Sequence, residues 1–253
     1  MNILACLIES TPDCPEETLE ITMKKIMLYG GLAVAAGLGA VYVSLYYAAM
    51  HPKAPAPAPE KHRIACVGDS ITYGYGLMGA FRKYCYPTQL QEMLGDSYQV
   101  LNFGICDRTL QNAADKPYRK EAIYKASLAS SPETVIVMLG TNDAKPHNWN
   151  AERYRNDLRN LVNEYKQLPT KPKIILMAPP KTFSILGKTL DSILDEAIGG
   201  EMREAVKTVA RETSCKYVDL YEITKDHREW SVDGLHLNKD GTYAIASAVK
   251  EVL

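Results

Sequence analysis

From Arg63 to the C-terminus, short apolar runs alternate with longer stretches of helical periodicity. The runs Arg63–Val67, Tyr98–Phe103, Thr134–Leu139, Lys173–Ala178 and Tyr217–Leu220 predict five strands. Thr134–Leu139 is apolar almost throughout, the mark of a strand covered on both faces. Between the runs, apolar positions return at helical spacing. Tyr154, Leu158, Leu161, Val162 and Tyr165 define a helix over Ala151–Leu168. Further helices are predicted over Tyr86–Leu94, Pro117–Leu128, Leu190–Thr213 and Asp240–Leu253, with Gly95 stopping the first and Gly199-Gly200 weakening the long one. Strands alternating with helices predict an α/β domain with a parallel sheet buried between helical layers, whose strand-end loops carry the chemistry.

Ahead of this domain the pattern changes. Ile26–Met50 is a run of 25 residues without a charge, preceded by Lys24-Lys25. About 20 apolar residues suffice to span a bilayer. Small residues fill the run, and Tyr42, Tyr46 and Tyr47 cluster at its far end as an interfacial belt would. This predicts one N-terminal transmembrane helix at 26–50, an uncleaved anchor that leaves the domain outside the cytoplasm. A secretory signal cleaved near Ala35-Ala36-Gly37 is the competing reading. Residues 1–25 form a short tail. Its first 22 residues hold five acids and no Lys or Arg, so Met23, directly before Lys24-Lys25, is the expected translation start. Residues 51–62 form a linker in which proline alternates with small residues from Pro52 to Pro59. Such a segment predicts a stiff polyproline II spacer of roughly 25 Å, holding the domain at 63–253 off the bilayer.

Charge and cysteine content narrow the function classes. The 29 basic and 30 acidic side chains nearly balance, which gives no footprint for nucleic acid. No His and Cys spacing matches a zinc site, and no metal or other cofactor is expected. Cys66 and Cys215 read as core thiols; Cys85 and Cys106 fall in loops, free or paired with each other. The oligomeric state is open.

The candidate chemistry begins at Gly68-Asp69-Ser70-Ile71-Thr72, just past the first strand. Taken alone, Ser70 fits a helix cap as well as a nucleophile. Later pieces also fall at strand ends or in late loops: Gly104 after the second strand, Asn142 after the third, and Asp233 with His236 before the last helix. Acyl transfer needs these residue types. A serine hydroxyl is a weak nucleophile until a base takes its proton, and His236 is the base at hand. Asp233, three residues away, would fix its tautomer. The backbone N–H groups of Ser70 and Gly104 and the Asn142 amide would serve as oxyanion donors. A reading of another class is a flavin, nucleotide or glycan binding module using Ser70, Thr72, Gly74 and Gly76, which leaves Asn142, Asp233 and His236 without a role.

Four blocks in order, Gly68–Thr72, Asn102-Phe103-Gly104, Gly140–Asp143 and Asp233–His236, resemble the SGNH or GDSL hydrolases over Arg63–Leu253. The resemblance implies a flavodoxin-like three-layer α/β/α sandwich and metal-free ester hydrolysis. It implies Ser70 as nucleophile, His236 with Asp233 as base and orienter, and Gly104 and Asn142 as oxyanion donors. Many members carry another glycine three residues after the second-block glycine, where this chain has Asp107. The stretch Asn142–Trp149 resembles secreted bacterial members regarded as carbohydrate O-acetylesterases, sialate esterases among them. On that likeness an O-acetylated carbohydrate is the first expected substrate, with lysophospholipase or thioesterase activity on longer acyl chains second. Asp107 and Arg108 border the expected pocket. Lys145 or Arg108 would meet a substrate carboxylate, and Trp149 would either stack on a sugar ring or pack on the following helix.

Overall fold

The computed structural model describes residues 28, 29, 34, 37–77 and 81–253. Five strands, β1 (His62–Gly68), β2 (Tyr98–Gly104), β3 (Thr134–Met138), β4 (Lys173–Ala178) and β5 (Lys216–Asp219), form one parallel sheet in the order β2-β1-β3-β4-β5. The chain runs outward from β1 to β2, then crosses back to β3, so its direction of travel reverses between β1 and β3. Ligands bind at such switch points, outside the carboxyl ends of the strands.

Side-chain alternation along the strands builds two cores. Ala65, Val67, Val135, Val137, Ile174 and Leu176 face one, with Tyr154, Leu158, Leu161 and Val162 of a helix at Ala151–Lys166 and Val206 and Val209 of one at Arg203–Glu212. Ile64, Cys66, Ile136, Met138, Ile175 and Met177 face the other, with Tyr86 and Leu90 of a helix at Tyr86–Leu94 and Ile245 and Val249 of one at Lys239–Val252. All five residues of β3 are buried. Each buried Val, Ile or Met contributes roughly 1.5–3 kcal/mol, and the two-sided cover explains why this strand reads as an unbroken apolar run.

Two predicted helices are interrupted. Glu121, at ψ 148°, separates a 3-10 turn at Tyr118–Lys120 from the helix Ala122–Ala129. The Leu190–Thr213 pattern breaks into short turns, and Gly199-Gly200 falls in a π-helical turn, Ile198–Met202, before Arg203–Glu212.

The N-terminal expectations fare differently. The tail at 1–25, with Met23, lies outside the described residues, as does part of the 26–50 run. Residues 37–50 are helical, and Leu38, Val41, Tyr42, Val43 and Tyr46 are exposed. Among the described residues no helix is long and apolar enough to cross a membrane, so the transmembrane helix expected ahead of the domain finds no support there. The compact unit that holds the sheet begins at Ala48, ahead of the expected boundary. The Pro/Ala segment is tied to it. Gln99 accepts the Ala58 N–H at 2.6 Å and donates to the Ala56 carbonyl at 3.0 Å, and the Arg63 guanidinium donates to the carbonyl of Pro59 at 3.0 Å. These bonds hold Ala56, Ala58 and Pro59 against β1 and β2, so the end of the segment nearest the sheet is anchored.

Candidate active site

Gly68 closes β1 in a tight turn. A side chain there would run into the Thr72 hydroxyl and stand 2.7 Å from the Met138 carbonyl oxygen, so the close approach requires glycine. The next residues form α1, a single turn at Ser70–Tyr73. Asp69 caps it, its Oδ1 accepting the Ile71 N–H at 3.0 Å. Burial pushes the Asp69 carboxyl up to about 6, against that N–H and the nearby His236. Ser70 is therefore held by a capped turn at the switch point.

His236 reaches Ser70 from the other end of the domain. Its Nε2 lies 3.0 Å from Ser70 Oγ, and its Nδ1 lies 2.7 Å from Asp233 Oδ2. The other Asp233 oxygen accepts the backbone N–H groups of Leu235 at 3.0 Å and His236 at 2.7 Å. Burial raises the Asp233 carboxyl, but the His236 ring and these N–H groups outweigh it and hold it down to about 2. An ionised carboxylate accepts only, so Nδ1 carries the proton and Nε2 is left to accept from the serine. The loop is closed by the Val232 N–H on the His236 carbonyl at 2.8 Å and the Phe183 N–H on the Gly234 carbonyl at 2.7 Å. Tyr75 packs on the imidazole with ring centres 4.8 Å apart.

Asn142 is buried after β3, and its Nδ2 donates to the Arg108 carbonyl at 3.2 Å. A primary amide has two N–H donors, so one remains for the crevice. Asp143 fastens the same loop to the one after β2, accepting the N–H groups of Leu110 and Gln111 at 2.8 Å each. It is fully buried, and burial pushes its carboxyl up to about 7 despite those donors.

Gly104 is not arranged as expected. Its N–H donates to Asn102 Oδ1 at 2.9 Å, and a side chain on it would run into the Tyr73 backbone, with the Tyr73 Cα at 2.8 Å. Glycine is required there for packing of β2 against α1, and the amide expected to serve an oxyanion is already committed. Three residues on, Asp107 takes φ 63°, the left-handed conformation that favours glycine. Its backbone N–H makes no hydrogen bond among the described residues.

The remaining candidates are engaged elsewhere. The Asp107 carboxylate bridges Lys116 and Lys145, the latter at 2.6 Å; burial raises its pKa, but the two ammonium groups outweigh that and lower it. Arg108 is buried, with Nε on Glu121 at 2.7 Å and Nη1 on the Cys106 carbonyl at 2.9 Å. Lys145 and Arg108 thus meet acids and carbonyls of the chain itself, where the sequence suggested a substrate carboxylate. Trp149 packs against Tyr154 with centroids 5.6 Å apart and donates from Nε1 to Glu201 at 3.3 Å, on the following helix side. Thr72, proposed for a phosphate loop, is fully buried 3.5 Å from the Tyr86 hydroxyl. Cys85 and Cys106 are buried and are not joined in a disulfide. Asp69, Tyr75 and Asp143 were not singled out from the sequence. Asp143 sits in the Gly140–Asp143 block, but its partners lie more than 30 residues upstream, beyond any local signal.

This arrangement can be set beside known proteins. The chain is 35% identical over 215 residues to an acetylxylan esterase of Xylanibacter ruminicola, an alignment covering 77% of this chain and 44% of that protein. The chain thus spans less than half the length of that relative. A carbohydrate acetylesterase family member from Sinorhizobium meliloti shares the fold at a TM-score of 0.60 and 23% identity, covering 75% of this chain and 96% of that one. The lipase/acylhydrolase from Enterococcus faecalis does so at 0.63 and 23%, covering 76% and 95%. A family model, the GDSL-like lipase/acylhydrolase family, matches residues 66–244, from the strand before Ser70 to the helix after His236. The chain therefore belongs to the GDSL-like lipase/acylhydrolase family.

Proposed function

We propose that this chain is a serine esterase that removes O-acetyl groups from carbohydrate. The observation that carries the reading is the relay from buried Ser70 Oγ to buried His236 Nε2 at 3.0 Å and from His236 Nδ1 to Asp233 at 2.7 Å. Ser70 Oγ attacks the ester carbonyl as its proton passes to Nε2. The tetrahedral oxyanion collapses, and the imidazolium gives that proton to the leaving sugar oxygen. Water, deprotonated by the same nitrogen, then releases acetate from Ser70. The oxyanion donors in this reading are the Ser70 N–H, the second amide hydrogen of Asn142 and the Asp107 N–H, which takes the role expected for Gly104. Each such donor contributes on the order of 3 kcal/mol.

The acetylated carbohydrate rests on the likeness to the acetylxylan esterase. The uncharged run at 26–50 supports a site of action outside the cytoplasm, whether that run is kept or removed. Release of acetate from acetylated xylo-oligosaccharides, followed by the full chain beside its Ser70→Ala variant, tests the reading. Acetate release lost in the variant is expected; no release, with aryl acetates still cleaved, would move the substrate away from acetylated xylan.

A further inference from the structure

Ala48–Leu253 is one compact unit, and its first residues pack beside the catalytic loops. Ala49 is fully buried in a cluster with Tyr73 and Cys106, and Met50 and Tyr75 pack against that cluster. The Ala49 carbonyl accepts the Cys106 N–H at 3.1 Å. Met50 Sδ lies 3.8 Å from Arg108 Nη1, the nitrogen that donates to the Cys106 carbonyl. These contacts fix two successive peptide planes. The Cys106 N–H orients the plane between Ile105 and Cys106, and the Cys106 carbonyl orients the plane between Cys106 and Asp107. In a trans peptide the C=O and N–H point in opposite directions. Holding the Cys106 carbonyl toward Arg108 therefore aims the Asp107 N–H the other way. The family match starts at residue 66, so this support comes from outside the matched region.

We propose that Ala49 and Met50 are positioning residues, which set the peptide planes on either side of Cys106 so that the Asp107 N–H serves the oxyanion. The inference rests on the donor set of the proposed function. Tyr75, which packs against the same cluster, also packs on His236, so the cluster that holds Ala49 and Cys106 is linked through Tyr75 to the base.

The test uses the full chain with Ala49→Glu, Met50→Ala and the conservative Ala49→Ser, assayed on an aryl acetate beside Ser70→Ala. A misplaced catalytic group costs about 100-fold in rate, so Ala49→Glu is expected to lower kcat by roughly 10- to 100-fold at unchanged KM. Met50→Ala, which leaves Ala49 seated, is expected to give a smaller loss in kcat alone, and Ala49→Ser to restore wild-type kcat. If Ala49→Glu does not fold, Met50→Ala carries the test. A wild-type kcat in Ala49→Glu, or in Met50→Ala where that variant stands alone, overturns the inference, as does a change confined to KM or to Tm. Activity surviving in Ser70→Ala would overturn the reading beneath it; an inactive Ser70→Ala beside a fully active Ala49→Glu overturns the positioning role alone.

Discussion

The two sides of the crevice are made differently. In the proposed mechanism Ser70, His236 and Asp233 act through side chains, which are joined by hydrogen bonds of 3.0 and 2.7 Å. The loop after β2 offers backbone: a carbonyl that takes the Asn142 amide and an N–H at Asp107. Side-chain chemistry admits few replacements, because only certain residues hold a proton or a charge at the needed atom. Backbone chemistry admits any residue that can adopt the conformation. The left-handed region costs a residue with a Cβ about 1–2 kcal/mol, least for Asn and Asp. At Asp107 the bridge to Lys116 and Lys145 ties down the residue that carries this cost. On the proposed mechanism the second side can thus change its sequence and keep its donors, whereas the first cannot.

The largest expected effects break the first side. Ser70→Ala or His236→Ala should lower kcat by on the order of 10⁴–10⁶ on an aryl acetate, with the fold intact by circular dichroism. Retention of even a tenth of the rate would remove the relay from the mechanism. Asn142→Ala should cost about 10²–10³ in kcat with little change in KM, since the amide acts on developing charge. Equal losses in KM would assign it to binding.

Asp143→Asn sharpens the picture of how the second side is held. One amide cannot accept both the Leu110 and Gln111 N–H groups, because half of it donates. A mismatched buried group costs about 1–3 kcal/mol, or roughly 2–4 °C in Tm per kcal/mol for a domain of this size. The pH dependence has a definite sign. The Asp143 pKa is raised from 3.8 to about 7, so the folded state holds the extra proton between those values. This group's stabilising contribution is full below about pH 4 and is lost as pH rises through about 7. The Tm gap between wild type and Asp143→Asn, measured by calorimetry, should therefore narrow over that range; a gap that widens would contradict the burial argument. The smallest effect is expected for Asp107→Gly. It keeps the N–H and relieves the left-handed strain while removing the lysine bridge, so kcat should stay within about threefold of wild type.

The same division explains what the sequence made legible. The strands could be read because Val, Ile and Met fill both faces of β3 and β4. Ser70, Asp233 and His236 stand out as candidates because their chemistry is rare in that combination, and the fold brings them within hydrogen-bond distance. At the oxyanion loop the sequence points to Gly104, whereas the proposed donor is the Asp107 N–H. Gly104 is glycine because its Cα abuts Tyr73, a packing demand, while Asp107 hides a glycine-like conformation behind a charged side chain. Lys145 and Arg108 suggested a substrate carboxylate because their acidic partners, Asp107 and Glu121, are chosen by the fold, in Lys145's case from 38 residues away. The proline-rich segment suggested a free spacer because its anchors, Gln99 and Arg63, belong to the sheet.

The most direct measurement is hydrolysis of aryl esters, from acetate to octanoate, by the full chain beside Ser70→Ala. Acetate should be the preferred acyl group, and that activity should be lost in the variant. Activity that survives Ser70→Ala would contradict the catalytic assignment, and a preference for octanoate would contradict the acetylesterase reading.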